Sequence, residues 1–364
     1  MDEYFLILTA IDVVVLLFMC MLIYESENLS RRQRRGFLRT YILIAAISML
    51  EVITVVVDRT PPEYRLVNLL TNYLGFGLTP AVPLCLVHIL DKRGKALRIR
   101  KAAALIWIGY AVFLAASLPS GSVFGVTADN VYFRGGHFHV YVFMFAVSIV
   151  YLAVATAASA IFYQNRSRIL IYPLMGFLIL GMLVQLAFPK IHTTWLCVTL
   201  IGVLYYIYCN EMWNQLDGLT GLLNQASYLN RTSMVRSGDK VLIVFDVDRF
   251  KEINDTYGHL YGDRCLKEIA DCMKGAYAKY GGCYRMGGDE FCVILRDEKQ
   301  ERACTEAFCR LLEEKRRNNP NLPTVSYGFA AMNIEQDILT TKDLADQNMY
   351  QFKKARKALQ DKLK

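Results

Sequence analysis

The stretch that decides the fold is Cys283-Tyr-Arg-Met-Gly-Gly-Asp-Glu-Phe-Cys-Val-Ile-Leu295. It predicts two short strands on either side of a tight turn at Gly287-Gly288, because the favoured two-residue hairpin turns need positive φ, which glycine adopts at little cost. Asp289 and Glu290 follow the turn, at the start of an otherwise apolar strand. A strand that served only the core would not carry carboxylates there, so the hairpin is a candidate site.

The composition divides the chain into two halves. With 54% hydrophobic residues and a mean hydropathy of +0.26, the 364 residues are too apolar for one ordinary soluble domain. Long apolar runs give way to mixed composition near residue 210, where we place a domain boundary. Residues 210–364 hold 24 Lys+Arg and 23 Asp+Glu, whereas residues 1–209 hold 17 and 10. The basic excess of the apolar half predicts contact with a lipid bilayer rather than with nucleic acid.

Seven apolar runs are long enough to cross a bilayer, which needs ~20 residues in a helix. They are 4–24, 40–57, 66–90, 102–118, 140–163, 169–188 and 193–209. Basic residues in the short loops number 13 on one side and 4 on the other, which predicts an outer amino terminus and a cytoplasmic residue 210. Residues 1–209 are therefore expected to form an all-α, seven-helix transmembrane domain.

Several polar residues lie within these runs: Asp12, Glu51, Asn72, Gln185, Thr193 and Thr194. They fit either hydrogen bonds between helices or a pocket open to the outside, since intramembrane carboxylates are costly. Our hypothesis is that Asp12 and Glu51 form a sensor pocket that holds a small ligand or a proton. The outer-loop histidines are ordinary surface residues or, as an alternative, a metal site: His137, His139 and His192.

The second half predicts an α/β sandwich with helices packed on a mixed sheet. Its predicted strands are 240–246, 282–286, 290–295 and 323–330, and its predicted helices are 261–278, 299–317 and 342–358. Residues 210–216 form a helical junction without a Gly/Ser- or Pro-rich linker, and Asp217 and Asn224 are expected to start a turn or a helix. The second domain is therefore 217–364.

Carboxylates at the end of a buried strand predict a metal site. The strand 240–246 is continuously apolar, hence central, and it ends in Asp246-Val-Asp248. Mg²⁺ prefers oxygen ligands and usually combines one or two carboxylates with phosphate oxygens and water. Asp246 and Asp289 would supply that pair, whereas Asp248 points the other way along the strand and has a structural alternative.

The loop after this strand carries groups that suit a guanine nucleotide. Lys251 can neutralise phosphate charge, and the carboxylate of Asp263 suits the N1–H and 2-amino donors of guanine, with Asn254 beside it. Gly258 and Gly262 permit close approach of the backbone.

Five blocks resemble the GGDEF domain of diguanylate cyclases over residues 215–358. They are Asp217-Gly-Leu-Thr-Gly-Leu-Leu-Asn224, Asp246-Val-Asp-Arg-Phe-Lys-Glu-Ile-Asn-Asp-Thr-Tyr-Gly-His-Leu-Tyr-Gly-Asp263, Arg285-Met-Gly-Gly-Asp-Glu-Phe291, Ser326-Tyr-Gly-Phe-Ala330 and Ala345-Asp-Gln-Asn-Met-Tyr-Gln-Phe-Lys353. The resemblance implies a nucleotide-cyclase-like fold in a bacterial membrane protein. It also implies the condensation of two GTP into cyclic di-GMP with release of pyrophosphate.

The resemblance also implies roles for individual residues. Mg²⁺, with Mn²⁺ as an alternative, is expected on Asp246, the Val247 carbonyl and Asp289. Catalytic roles fall to Asp289 as proton acceptor, with Glu290 beside it, and to Lys251. The nucleotide-contacting set is Phe250, Asn254, His259, Asp263, Lys353 and Lys357. Because each domain holds one GTP, catalysis requires a homodimer.

Three departures from the family pattern stand out. Ala278-Lys-Tyr-Gly281 replaces the product-inhibition motif Arg-x-x-Asp, so that form of feedback is expected to be absent. Phe352 and Arg356 alter the closing helix, and Gln225 replaces a common arginine. Two other functions remain open: a catalytically silent GTP-binding receptor that signals by protein contacts, and a cyclase with a mixed-nucleotide product.

Overall fold

The computed structural model describes residues 3–27, 29–90, 95–162, 171–188, 194–233, 239–333 and 337–362. The chain divides into two compact units, Met1–Glu211 and Met212–Lys364. The helix α8 (Thr194–Asn214) crosses this boundary, and it ends two residues before the predicted end of the junction.

The first unit is mainly helical. Its elements before α8 are α1 (Glu3–Glu25), α2 (Arg31–Val57), α3 (Arg65–Leu78), α4 (Ala81–Leu90), α5 (Lys95–Ser117), α6 (His139–Phe162) and α7 (Ile171–Ala187). Between α5 and α6, the strands β1 (Phe124–Val126) and β2 (Tyr132–Arg134) form a small antiparallel hairpin. Each predicted apolar run therefore contains helix.

Five helical stretches of the described residues are long and apolar enough to cross a membrane, by length and composition. They are Tyr4–Glu25, Arg31–Val57, Pro62–Leu90, His139–Ala160 and Thr194–Asn214. The apolar helices Lys101–Ser117 and Tyr172–Gly181 are shorter. The predicted count of seven spans is therefore not confirmed, although several apolar helices are present.

The third predicted run, 66–90, consists of two helices rather than one. α3 ends at Leu78 and α4 begins at Ala81, with Thr79 and Pro80 between them. Proline has no backbone N–H to donate and its ring clashes with the preceding turn, so a continuous helix is interrupted here. Thr79 closes the end of α3 with a hydrogen bond from its hydroxyl to the Gly75 carbonyl, at 2.6 Å.

The second unit is an α/β domain. Its elements are α9 (Gln225–Thr232), β3 (Val241–Val247), α10 (Phe250–Tyr257), α11 (His259–Tyr277), β4 (Gly281–Gly287), β5 (Glu290–Leu295), α12 (Glu301–Asn318), β6 (Val325–Ala331) and α13 (Ile338–Lys362). The predicted strands and the three predicted helices are all present, with ends that differ by a few residues.

The four strands form one sheet in the order β4-β5-β3-β6. All three pairings between these strands are antiparallel, so the prediction of a mixed sheet is wrong. Among the residues that the structure describes, the parallel pairing is one isolated bridge between Leu223 and Tyr284. The β4–β5 pair is antiparallel because a two-residue turn joins these strands, a connection that parallel strands cannot use.

β3 is buried on both faces, as its continuous apolar sequence predicts. Ile243 and Phe245 face a large apolar cluster that includes residues of α11 and α12. Leu242 and Val244 face a smaller cluster that includes Ala345 of α13 and Tyr228 of α9. Helices therefore cover both faces of the sheet and leave the end of β3 for polar residues.

The segment after β3 is helical, where the sequence predicts a loop. α10 and α11 meet at Gly258, whose φ of 80° lies in the region that favours glycine. Phe250 and Ile253, three residues apart on α10, pack against the larger apolar cluster. Two apolar residues at this spacing lie on one face of a helix, which is the signal that the loop prediction missed.

Candidate active site

The carboxylates of the predicted metal site lie at one end of the sheet. Asp246, near the end of β3, lies opposite Glu290 of β5 and Ser326 of β6. The backbone N–H of Val247 donates to the carbonyl oxygen of Asp289 at 3.3 Å. The backbone therefore brings together Asp246, Val247, Asp289 and Glu290, although 43 positions separate Asp246 from Asp289 in the numbering.

The hairpin turn presents Asp289 to this end of the sheet. Gly287 pairs with Glu290, so the two turn residues are Gly288 and Asp289, one position later than predicted. Gly288 has a φ of 52°, which confirms the need for glycine in the turn. A register shift between Arg285 and Gly287 accompanies the turn. Asp289 is half-buried and Glu290 exposed.

Arg285 braces the turn against the start of the domain. Its Nη2 and Nε donate to the Gly288 carbonyl at 2.7 and 3.1 Å, and its Nη1 donates to both carboxylate oxygens of Asp217, at 3.1 and 3.3 Å. Leu223 donates its N–H to the Cys283 carbonyl at 3.0 Å and accepts from the N–H of Arg285 at 2.8 Å. The segment 217–223 is thus joined to β4 and, through Arg285, to the turn.

Sequence patterns assign no individual role to Arg285, and they predict that Asp217 starts a turn or a helix. That turn is confirmed, since Asp217 Oδ1 accepts from the N–H and hydroxyl of Thr220 at 2.8 and 2.6 Å. The predicted helix start at Asn224 is also confirmed, because its side chain caps α9 by accepting from the Ser227 N–H at 2.9 Å. Asp217 and Arg285 carry opposite charges and lie in two of the five blocks that resemble the GGDEF domain. These opposite charges were the sequence signal that could have predicted their ion pair.

Asp217 is expected to make stability depend on pH. Burial acts to raise the pKa of Asp217, but hydrogen bonds from Thr220 and Arg285 outweigh it and hold the pKa below its usual value. A carboxyl group with a lowered folded-state pKa adds stability above its unfolded pKa and loses it as the pH falls through the folded value. From about pH 5 to about pH 3, the wild-type domain should lose stability more steeply than Asp217→Asn. Urea-unfolding midpoints across this range measure the difference, and parallel curves would contradict it.

Asp248 is held by the neighbouring strand, which favours its structural alternative. Its two carboxylate oxygens accept hydrogen bonds from the hydroxyls of Thr324 and Ser326, both at 2.6 Å. Its backbone N–H donates to the Thr324 carbonyl at 2.9 Å. Asp248 therefore secures the exit of β3 against the start of β6, beside Asp246.

Lys353 of α13 reaches the same carboxylates. Its ammonium group forms an ion pair with Asp246 and lies 3.9 Å from an oxygen of Asp248. Burial acts to lower the pKa of Lys353, but the hydrogen bond with Asp246 and the charges of Asp246, Asp248 and Asp289 raise it above its ordinary value. Phe352, which departs from the family pattern, packs on Tyr327 with ring centroids 4.7 Å apart. The side chains of Arg356 and Lys357 lie outside the described residues.

The predicted nucleotide-contacting residues lie on α10 and α11. Lys251 and His259 are exposed, whereas Asn254 and Asp263 are half-buried. A Cβ added to Gly262 would clash with the Asn254 amide. The close approach predicted at Gly262 is therefore made by the side chain of Asn254, which is itself one of the predicted nucleotide-contacting residues. Phe250 packs against the apolar cluster, which makes it a support of α10.

The donor set at the sheet end suits a divalent cation that is completed by a ligand. Asp246, Asp289 and a backbone carbonyl are hard oxygen donors, the kind that Mg²⁺ prefers. Across the described ranges, no group of three His, Cys, Asp or Glu side chains converges well enough to hold a metal alone. Two carboxylates leave the remaining positions to phosphate oxygens and water, which is the usual arrangement for Mg²⁺ with a nucleotide.

Two of the outer-loop histidines lie near each other. His137 and His139 have ring centroids 5.8 Å apart, but no third ligand joins them among the described residues. His192 and Thr193 lie outside those residues, as does the side chain of Gln185. The metal alternative for the three histidines therefore stays a prediction.

An antiparallel sheet with paired carboxylates at the end of its central strand defines an α/β domain with a candidate site for metal and phosphate. Residues 214–358 match the family model described as diguanylate cyclase, GGDEF domain. This part of the chain is therefore a GGDEF domain, and the part before it is a helical region with several apolar helices.

Curated relatives are similar to part of the chain. Diguanylate cyclase DgcN of Escherichia coli K12 is 36% identical over 156 residues, which cover 38% of this chain and 37% of DgcN. Diguanylate cyclase DgcZ of the same organism is 31% identical over 159 residues, covering 41% of this chain and 53% of DgcZ. The chain thus spans about a third to a half of the length of these relatives.

A solved structure is also among the similar proteins. The GGDEF domain of DgcB from Caulobacter crescentus, in complex with c-di-GMP, is 28% identical. The similarity covers 39% of this chain and 91% of that chain, with a TM-score of 0.33.

Proposed function

We propose that the protein is a membrane-bound diguanylate cyclase, which condenses two GTP into cyclic di-GMP and releases pyrophosphate. The observation that carries this proposal is the hydrogen bond from the Val247 N–H to the Asp289 carbonyl. It holds the hairpin turn beside the end of β3, so that Asp246 and Asp289 stand together. The identity of DgcN and DgcZ as diguanylate cyclases supports the same reaction.

Asp246, the Val247 carbonyl and Asp289 are the residues that would hold Mg²⁺, or Mn²⁺ in its place. A divalent ion bound there neutralises charge on the α-phosphate and lowers the pKa of the attacking hydroxyl. Lys353 pairs with Asp246, so its ammonium group is within reach of phosphate oxygens that approach the same carboxylates. Lys251 adds a second positive charge from the exposed face of α10.

Each of the two condensation steps transfers one nucleotidyl group. The 3′-oxygen of one GTP bonds to the α-phosphorus of the other, and the bond from that phosphorus to the β-phosphate oxygen breaks. Asp289 accepts the hydroxyl proton, with Glu290 beside it as a second carboxylate. Pyrophosphate leaves with the electron pair of the broken bond, and the second step closes the ring.

Guanine selection is assigned to α10 and α11. A carboxylate that accepts from both N1–H and the 2-amino group discriminates guanine from adenine, which lacks that pair of donors. Asp263 and Asn254 are the half-buried polar groups in this position. His259 and Phe250, which belong to the predicted nucleotide-contacting set, complete the proposed nucleotide site.

Catalysis requires two copies of the chain. One domain binds one GTP, so the second nucleotide must come from the facing domain of a homodimer. The apolar helices anchor the protein in a bacterial plasma membrane as a multi-pass protein, with the amino terminus outside and the GGDEF domain in the cytoplasm. A signal received by the helical unit would govern how the two sites meet.

The test is product identification with the full chain reconstituted in lipid nanodiscs. With GTP and Mg²⁺, we expect cyclic di-GMP and pyrophosphate, and a lower rate per protein in nanodiscs that hold one copy of the chain than in nanodiscs that hold two. Adding ATP tests for the mixed-nucleotide product. GTP binding without any product in cross-linked dimers would favour the silent receptor instead.

A further inference from the structure

Lys353 reaches the carboxylates of the candidate site from α13, and its own side chain does not fix that contact. The ammonium group pairs with Asp246 and lies 3.9 Å from an oxygen of Asp248. It is carried by a flexible carbon chain, and the side chain of Lys353 is 46% exposed, a setting in which an ion pair contributes little energy. The position of α13 must therefore decide whether Lys353 reaches the carboxylates.

The helix α13 packs on one face of the sheet, beside its last strand. Ala345 of α13 belongs to the smaller apolar cluster. The backbone of α13 approaches Gly328 of β6 so closely that an added Cβ would overlap it. Because β6 ends the strand order, one of its edges has no neighbouring strand among the described residues. Side chains of α13 can therefore contact β6 along this edge.

Two side chains of α13 make such contacts. Asn348 Nδ2 donates to the carbonyl oxygen of Phe329 at 2.9 Å. The ring of Phe352 packs on the ring of Tyr327, with centroids 4.7 Å apart. Four helical residues advance about 6 Å and two strand residues about 6.6 Å, so the two contacts match the spacing of both elements. Together they determine how far α13 is advanced along β6.

The partner of Phe352 is held firmly and lies next to the site. Tyr327 packs against the larger apolar cluster, and its ring centroid is 6.1 Å from that of Phe245. Phe245 pairs with Tyr327 in the sheet and directly precedes Asp246. The ring contact of Phe352 is therefore made one strand position from the carboxylate that Lys353 binds.

We propose that Phe352 is a positioning residue of the active site. By packing on Tyr327, it holds α13 where Lys353 reaches Asp246. The contact belongs to this chain with or without nucleotide, whereas its use in holding the phosphates of GTP rests on the proposed function. Since the Phe352 side chain is 37% exposed, its contribution to the apolar core is limited.

Removal of the ring would leave α13 attached to β6 farther from Lys353. The contacts of Asn348 and Met349 with β6 remain in that case. Both residues precede Lys353 by at least one helical turn. The ammonium group would then no longer be held beside the carboxylates.

A zero-length cross-link measures this contact without nucleotide. A water-soluble carbodiimide joins an amine to a carboxylate that touches it, and peptide mass spectrometry locates the new amide. With the full chain in phosphatidylcholine nanodiscs, we expect an amide between Lys353 and Asp246. Its yield should fall about fivefold in Phe352→Ala, because an aromatic pair contributes on that scale. Phe352→Tyr, which keeps the ring, should retain the wild-type yield.

Tyr350→Ala is the matched control. It removes an aromatic ring from the same helix two positions away, and that ring is 66% exposed, so the cross-link yield should not change. Phe352→Leu keeps an apolar side chain without the ring. It should also lower the yield, and it replaces Phe352→Ala if that variant does not fold. Circular dichroism verifies that each variant is folded.

Equilibrium binding of GTP with Mg²⁺ tests whether Phe352 acts through Lys353. Phe352→Ala should weaken GTP binding about fivefold in the otherwise wild-type chain. In Lys353→Met the same substitution should have no further effect, because the group that it positions is already absent. A general loss of packing would weaken binding equally in both backgrounds.

The cross-link decides the proposal independently of catalysis. Equal yields in the wild type and Phe352→Ala, including no cross-link in either, would overturn it, whether or not the chain makes cyclic di-GMP. Equal losses of GTP affinity with and without Lys353 would also overturn it. A cross-link that depends on Phe352, in a chain that makes no cyclic di-GMP, would reject the proposed function and support the positioning role.

Discussion

Asp289→Ala is expected to reduce cyclic di-GMP synthesis by about 10²–10³-fold or more, the scale on which removal of one preorganised charged or polar group slows an enzyme. The backbone of Asp289 lies beside the end of β3, next to Asp246, and its side chain is the proposed proton acceptor. The variant should fold normally, because Asp289 is only half-buried and the structural contact to Val247 uses its backbone carbonyl. The rate is measured by chromatography of the product with GTP in excess.

Two further variants separate the roles at this end of the sheet. Asp246→Asn should lower the rate on a similar scale and also free Lys353, whereas Glu290→Gln should have a smaller effect if Glu290 only assists Asp289. Asp297→Asn is the matched control, since asparagine can retain the cap that Asp297 makes with the Lys299 N–H. A wild-type rate in Asp289→Ala would remove Asp289 from the mechanism and with it the strongest support for the cyclase.

The local parts of the site follow from the sequence because each depends on neighbouring residues. The apolar run before Asp246 predicts a buried strand, and paired glycines predict the turn before Glu290. Successive side chains of a strand point to opposite faces of the sheet, so the direction of each hairpin side chain follows from its position in the strand. The one-residue error at the turn comes from the register shift after Arg285, which no local pattern reports.

Contacts between distant segments could not be predicted in the same way. Asp217 and Arg285 are 68 positions apart, and nothing in either block states that the guanidinium also bonds the Gly288 carbonyl. The Lys353–Asp246 pair spans 107 positions. Both contacts depend on the positions of the strands in the sheet, and those positions are set by the packing of the whole domain.

In the helical unit, the sequence predicts the position of the apolar segments but not the number of membrane spans. Hydropathy locates every apolar run, because helices in a bilayer need a minimum apolar length. It does not fix the count of spans, since Pro80 divides one run and two apolar helices are shorter than the rest. The partners of Asp12 depend on packing between helices, so the sequence identified the acid but not its surroundings.

Gly328→Ala is expected to lower the free energy of unfolding of the second unit by about 3 kcal/mol, the upper part of the range for overpacking a core. A Cβ at this position would overlap the backbone N of Met349 and the backbone O of Ala345 on α13. Backbone atoms cannot rotate away as a side-chain tip can, so α13 must shift from the sheet. Urea unfolding of residues 212–364 measures the change.

The same shift should reach the active site. Lys353 lies one helical turn beyond Met349, so a displaced α13 withdraws its ammonium group from Asp246 and Asp248. We therefore expect the folded fraction of Gly328→Ala to bind GTP more weakly, which a purely local loss of stability would not produce. Gly218→Ala is the matched control, because no heavy atom lies within 4 Å of the added Cβ. An unchanged unfolding midpoint in Gly328→Ala would mean that α13 does not pack this closely on β6, and the position of Lys353 over the carboxylates would lose its structural basis.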